Sequence, residues 1–151
     1  MGENECIFCK IASGTTKSFK IYEHKDYVAF LDIFPNIMGQ TVVIPKKHVQ
    51  SYAFDLSDEE LGNLVNEAKA VAKLLESKLG VQRVFMVLEG MGVNHLHAKL
   101  YPAIGLKSKE FSEVLSERSV YFEKYPGYVS TMLGPRADDE GLEELRRMIV
   151  D

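Results

Sequence analysis

Two histidines and a lysine stand at alternate positions in the stretch Val93-Asn94-His95-Leu96-His97-Ala98-Lys99-Leu100-Tyr101-Pro102. If this stretch is a strand, Val93, His95, His97, Lys99 and Tyr101 share one face with neighbours about 7 Å apart, because successive side chains point to opposite sides. The other face reads Asn94, Leu96, Ala98 and Leu100, which suits a wall packed on a core. An imidazole serves as nucleophile, base or metal ligand near neutral pH, and an ammonium beside it draws anions. The row is a candidate reaction centre. The plainer reading is a polar, solvent-facing edge strand that happens to hold two histidines.

A second group of chemically useful residues opens the chain. Cys6-Ile7-Phe8-Cys9 has the C-x-x-C spacing that lets two sulfurs reach one metal ion from a tight knuckle. A redox pair of the thioredoxin kind follows a hydrophobic strand, and here only polar or flexible residues precede the motif, so a metal is favoured over redox chemistry. A tetrahedral site needs two more ligands. The histidines are His24, His48, His95 and His97, and we assign His48 and His95. Two reduced thiols without a metal are the alternative. A third candidate is Asp32, the single carboxylate in Phe30-Leu31-Asp32-Ile33-Phe34, just before Pro35-Asn36. Such an acid usually caps a turn and can also accept hydrogen bonds from a ligand; the residues alone favour the turn.

The elements that must position these groups follow from periodicity. Strands are predicted over 19–23 and 27–32 around a turn at His24-Lys25-Asp26, and over 39–45, where β-branched Thr41-Val42-Val43-Ile44 ends at Pro45 and leads into Lys46-Lys47-His48. Ser57 and Glu60 form a capping box for a helix whose apolar stripe includes Leu61, Leu64, Ala68, Val71 and Leu75 and which closes at Gly80. Its opposite face, with Glu67, Lys69, Lys73, Glu76 and Lys78, reads as solvated surface. A strand over 81–88 and the turn Glu89-Gly90-Met91-Gly92 complete a hairpin with the histidine strand. Beyond Pro102, short helices are predicted over 108–117 and 138–150, flanking a stretch over 119–132 rich in Tyr and β-branched residues.

The 151 residues suit one α+β domain, 1–151, with an antiparallel sheet. A net charge of −4 gives no general attraction to nucleic acid. No apolar run approaches the roughly 18 residues of a membrane span, and MGENECIFCK lacks the marks of a signal peptide, so a cytoplasmic protein is expected. Two cysteines this close exclude a disulfide framework.

Taken together, Cys6-Ile-Phe-Cys9-Lys-Ile, Phe30-Leu-Asp32-Ile33, Gly39-Gln-Thr-Val-Val-Ile-Pro-Lys-Lys-His48 and His95-Leu-His97-Ala-Lys99-Leu-Tyr101-Pro102 resemble the histidine triad (HIT) superfamily, zinc-containing branch, across residues 5–102. Residues 103–151 form a C-terminal extension outside the likeness. The resemblance implies a sheet of about five antiparallel strands with one long helix, and a homodimer joined through the helix and an adjacent strand edge. It implies an enzyme, a hydrolase or nucleotidyl transferase acting at the α-phosphate of a dinucleoside polyphosphate or other nucleotide conjugate through a covalent nucleotidyl-His97. The alternative is a zinc-stabilised nucleotide-binding module with little turnover. By the same likeness Asp32 accepts from the ribose hydroxyls of a purine nucleotide, and Ile7, Phe8, Ile11, Phe30 and Ile33 wall the base pocket. Cys6, Cys9, His48 and His95 hold a structural zinc, and His24 is left as a surface residue. The chain departs from the family at the third motif histidine, which is Lys99, a phosphate clamp but a poor proton donor. It also has Leu88 and Gly92 where the phosphoramidase branch has phosphate-binding Asn and Ser. Asn94, Gln40 or the C-terminal segment are then the candidate phosphate contacts.

Overall fold

A computed structural model of the chain describes residues 5–106, 111, 113–127 and 140. Two units make up the chain, Met1–Glu110 and Phe111–Asp151. The first contains a short helix α1 (Ile7–Ala12), strands β1 (Lys20–Glu23), β2 (Tyr27–Leu31) and β3 (Thr41–Pro45), a single 3-10 turn (Ala53–Asp55), the long helix α2 (Asp58–Leu79), and strands β4 (Val84–Val87) and β5 (Ala98–Pro102). The five strands form one sheet in the order β1-β2-β3-β5-β4, antiparallel at every step, as expected for this α+β chain.

The centre of the sheet is β3, whose five residues are all buried, in keeping with its run of β-branched side chains. Alternation then divides the sheet into two faces. Ala29, Val43, Ala98 and Leu100 pack on Leu64, Ala68, Val71 and Leu75 of α2. Val28, Phe30, Val42 and Ile44 point the other way and gather Ile11 of α1, with Phe8 packed against them. The long helix covers one face and the cysteine helix part of the other.

Helix α2 begins and ends where its sequence dictates. Glu60 N–H donates to Ser57 Oγ at 3.2 Å while Ser57 N–H donates to Glu60 Oε2 at 3.1 Å, which closes the capping box. Gly80 ends the helix at φ +66°, a left-handed cap that side chains with a Cβ disfavour. One residue of the supposed solvated face behaves otherwise. Glu67 is half-buried, accepts from the Tyr22 hydroxyl at 3.0 Å and pairs with His24 Nδ1 at 3.1 Å, so it fastens β1 to the helix. His24 itself is exposed, as expected.

The histidine strand is shorter than its alternation suggested. Regular pairing starts at Ala98, opposite Val43, and residues 93–97 run irregularly ahead of it. The Pro45 carbonyl accepts from the His95 ring at 2.9 Å, and Leu96 N–H donates to Val49 O at 2.8 Å, so side chain and loop replace the ladder here. Strand β4 is likewise confined to 84–87 within the predicted 81–88. Of the predicted helix over 108–117, residues 111 and 113–117 are described and are not helical, and the rest lies outside the described residues. The helix over 138–150 also lies outside them, apart from Glu140, which is helical.

Candidate metal centre and active site

Helix α1 and its N-cap residue Cys6 bring the two cysteines to the end of the sheet where β3 leaves toward His48 and the irregular segment enters β5. Cys6 Sγ lies 3.5 Å from His95 Nδ1, and Cys9 Sγ lies 3.3 Å from His48 Nδ1 and 3.5 Å from His95 Nδ1. All four ligand atoms fall within 4.8 Å of one another. A tetrahedral ion with bonds of about 2.3 Å to sulfur and about 2.0–2.1 Å to nitrogen separates S from N by about 3.5 Å, so the spacing fits one zinc-sized ion. The tautomer fits as well. A carbonyl can only accept, so the His95 nitrogen facing Pro45 O is Nε2–H, and Nδ1 turns its lone pair toward the sulfurs. Complete burial, the largest influence, pushes the His95 pKa below its ordinary value, and the neighbouring imidazoles add to this. The neutral ring that results is the form that binds a metal.

Two residues on, His97 is fixed by the same logic. Its Nδ1–H donates to the His95 carbonyl at 2.7 Å, leaving the Nε2 lone pair free for chemistry. The edge of Phe8 packs against the ring, centroids 5.4 Å apart, and Phe8 also meets Phe30 at 5.6 Å. The residues proposed from the sequence as base-pocket walls are thus gathered around α1 and β2, with different exposure. Phe30 and Ile11 are buried and Phe8 half-buried, whereas Ile7 is exposed and Ile33 is 67% exposed in the loop after β2.

Asp32 occupies the turn position that its local sequence favoured. Its Oδ1 accepts from Phe34 N–H at 2.8 Å and its Oδ2 from Gln40 Nε2 at 2.7 Å, while Gln40 Oε1 accepts from Asn36 N–H at 2.7 Å. Gln40, buried to 3% exposure, is thus built into this turn through both its amide oxygen and its amide nitrogen. Asn94 is anchored through its amide oxygen, Oδ1 accepting from Ser51 N–H at 3.1 Å.

Sequence reasoning treated Glu89 as a turn residue, and the structure places it in the site. Glu89 Oε1 pairs with Lys99 Nζ at 2.5 Å and lies 3.8 Å from His97 Nε2, while Oε2 accepts from Met91 N–H at 2.7 Å. Burial works to raise the Glu89 pKa, but the bonds from Lys99 and Met91 N–H outweigh it and hold the carboxyl below its usual range. Burial works to lower that of Lys99, and Glu89 more than compensates, holding the ammonium above its ordinary value. Lys99 therefore sits beside His97, paired rather than as an open positive charge. The pairing register carried the signal: β4 and β5 align Val84 with Pro102 and Val87 with Lys99, and continuing that ladder sets position 89 opposite 97.

The HIT domain family matches residues 13–102, and the chain belongs to that family. The match leaves Cys6 and Cys9 outside its limits. The chain is 37% identical over 109 residues to adenosine 5′-monophosphoramidase HNT1 of Saccharomyces cerevisiae, an alignment spanning 68% of this chain and 65% of that one. The crystal structure of SMU.412c from Streptococcus mutans UA159 superposes with a TM-score of 0.64 at 29% identity, covering 97% of this chain and 83% of that one. A Zn-bound histidine triad family protein from Mycobacterium smegmatis superposes with a TM-score of 0.61 at 26% identity, covering 73% of this chain and 83% of that one. The fold is thus that of the family, and no helix among the described residues is long and apolar enough to cross a membrane.

Proposed function

We propose that this HIT-family protein is a cytoplasmic nucleotidyl hydrolase or transferase, acting at the α-phosphate of a nucleotide conjugate through His97. The observation that carries the reading is the state of the His97 ring, with Nδ1–H tied to the His95 carbonyl and Nε2 turned toward Glu89, the partner of Lys99. In the first step the Nε2 lone pair forms a bond to the α-phosphorus as the bond to the leaving group breaks, and the leaving group departs with that electron pair. The positive charge left on the ring is stabilised by the Nδ1–H bond to the carbonyl. Water or another acceptor then attacks the same phosphorus, the P–N bond breaks with its electrons returning to Nε2, and the acceptor's proton is released. His97 is restored, and the product is a nucleoside monophosphate or its ester.

Asp32 receives the ribose hydroxyls. Each of its oxygens has one bond to the turn, and a carboxylate has about four acceptor sites, so two remain for a ligand. Phe8, Phe30 and Ile11 supply the buried part of an apolar wall for a purine base, and Ile7 and Ile33 its exposed rim. Cys6, Cys9, His48 and His95 hold a structural zinc, which when bound supplies a tetrahedral cross-link between α1 and the segment carrying His97. The likeness to an adenosine 5′-monophosphoramidase and to a Zn-bound family member supports both parts. A homodimer forms through the open edge of β4 and the adjacent helix, where Phe85, Met86 and Val65 are exposed in the single chain.

Turnover of a nucleotide panel tests the enzyme reading. Adenosine and guanosine phosphoramidates and dinucleoside polyphosphates are compared on native protein and on His97→Ala. Release of nucleoside monophosphate by the native protein, reduced at least about a thousandfold in the variant, is expected of a lost nucleophile. Nucleotide binding without product in the native protein would leave a binding module in its place.

A further inference from the structure

The proposed chemistry gives no task to Glu89, although its carboxylate oxygen Oε1 lies 3.8 Å from His97 Nε2. We propose that Glu89 is a specificity-determining residue of the phosphate subsite: its carboxylate holds, between Lys99 and His97, the place that a substrate's phosphoryl oxygen must take, so substrate binding displaces it. This rests on the nucleotide reading above and refines which ligands that site accepts.

The geometry leaves His97 little other access. Its side chain is only 2% exposed, Nδ1 is spent on the His95 carbonyl, and Phe8 packs edge-on against the ring. A single oxygen, Glu89 Oε1, faces both Lys99 Nζ and His97 Nε2. Attack on phosphorus requires an approach of about 3–3.5 Å, which falls inside the 3.8 Å that Oε1 keeps from Nε2. Carboxylate and phosphoryl group therefore cannot both stand at this position, and both are anions that seek the same ammonium. Glu89 is not a freely swinging group. Its Oε2 is held by Met91 N–H, and Gly90, at φ +68°, packs so close to Ser51 that a Cβ there would lie 2.6 Å from the Ser51 carbonyl oxygen. A phosphate thus exchanges with a seated carboxylate, whereas an uncharged nucleoside has no such exchange to make. The site penalises negative charge on the ligand, and the penalty is set by Glu89.

Binding titrations of adenosine, AMP, guanosine and GMP to native protein, Glu89→Gln and the double variant Glu89→Gln/Lys99→Met test this. Glutamine keeps an oxygen for Met91 N–H, so the loop has its anchor, and a thermal melt verifies folding. Glu89→Gln is expected to bind AMP or GMP about tenfold more tightly, in a salt-dependent way, with nucleoside affinity unchanged. The gain should vanish in the double variant, a result that a merely structural role for Glu89 would not give. Unchanged or weaker nucleotide binding in Glu89→Gln overturns the proposal, with Glu89 then serving to hold Lys99. Should that variant melt below the assay temperature, Glu89→Asp replaces it; the withdrawn carboxylate is expected to give tighter AMP binding, and native or weaker affinity overturns the proposal. If neither nucleoside nor nucleotide binds native protein or variant, the nucleotide reading itself fails and takes this inference with it.

Discussion

Asp32 serves its fold and, in the proposed reading, a ligand as well. Its two oxygens close the turn between β2 and β3 through Phe34 N–H and the amide of buried Gln40. Asp32→Ala strips both donors of their acceptor, and leaving a buried amide unpaired costs about 1–3 kcal/mol. A urea denaturation series should register that loss, so the variant is not silent for stability. Asp32→Ala should also weaken nucleotide binding, and native protein should prefer ribonucleotides over 2′-deoxyribonucleotides, checked by competition titration. Equal binding of the two sugars would remove Asp32 from the ligand site and leave it as a turn residue only. The local sequence pointed to the turn, and only the family likeness pointed to the ribose. Glu89 is the opposite case. Beside Gly90 it reads as a loop residue, and its place opposite His97 emerges only when the β4–β5 register is known.

At the scale of elements, what could be read from the chain tracks how local the cause is. The start of α2 follows from Ser57 and Glu60 and its end from Gly80, all within one turn of the event. The central position of β3 follows from its β-branched run. By contrast, the late start of β5 depends on a bond between His95 and Pro45, fifty residues apart, and Glu67's hold on Tyr22 and His24 is equally non-local. Helix α1 has six residues, too few to persist alone in water. Its stability must come from packing of Ile11 and Phe8 and, in the proposed reading, from an ion shared with His48 and His95. Carefully purified protein is expected to contain one zinc per chain by elemental analysis. Cys9→Ser should release it, lower the melting temperature and remove amide protection from α1 before any other helix in hydrogen exchange. A zinc-free protein with fully protected α1 would mean that packing alone holds the knuckle.

At the scale of the whole molecule, β4 and β5 bring together an exposed strand edge and the proposed reaction centre. The edge of β4 carries Phe85, 53% exposed, and Met86, which a second copy would cover. Sedimentation equilibrium should report a homodimer, and Phe85→Glu should shift it toward monomer by placing a charge in that interface. A native monomer at high micromolar concentration would exclude the dimer. The proposed activity depends on His97, whose environment α1, the candidate metal ligands and the β4–β5 loop together define. The most direct measurement is intact-mass analysis of the chain quenched in acid-free conditions during turnover of a nucleotide conjugate. The expected result is a mass increase of one nucleoside monophosphate less water, mapped to His97 by peptide sequencing and absent from His97→Ala. Product formation with no adduct at any quench time, or an adduct that survives the loss of His97, would contradict it.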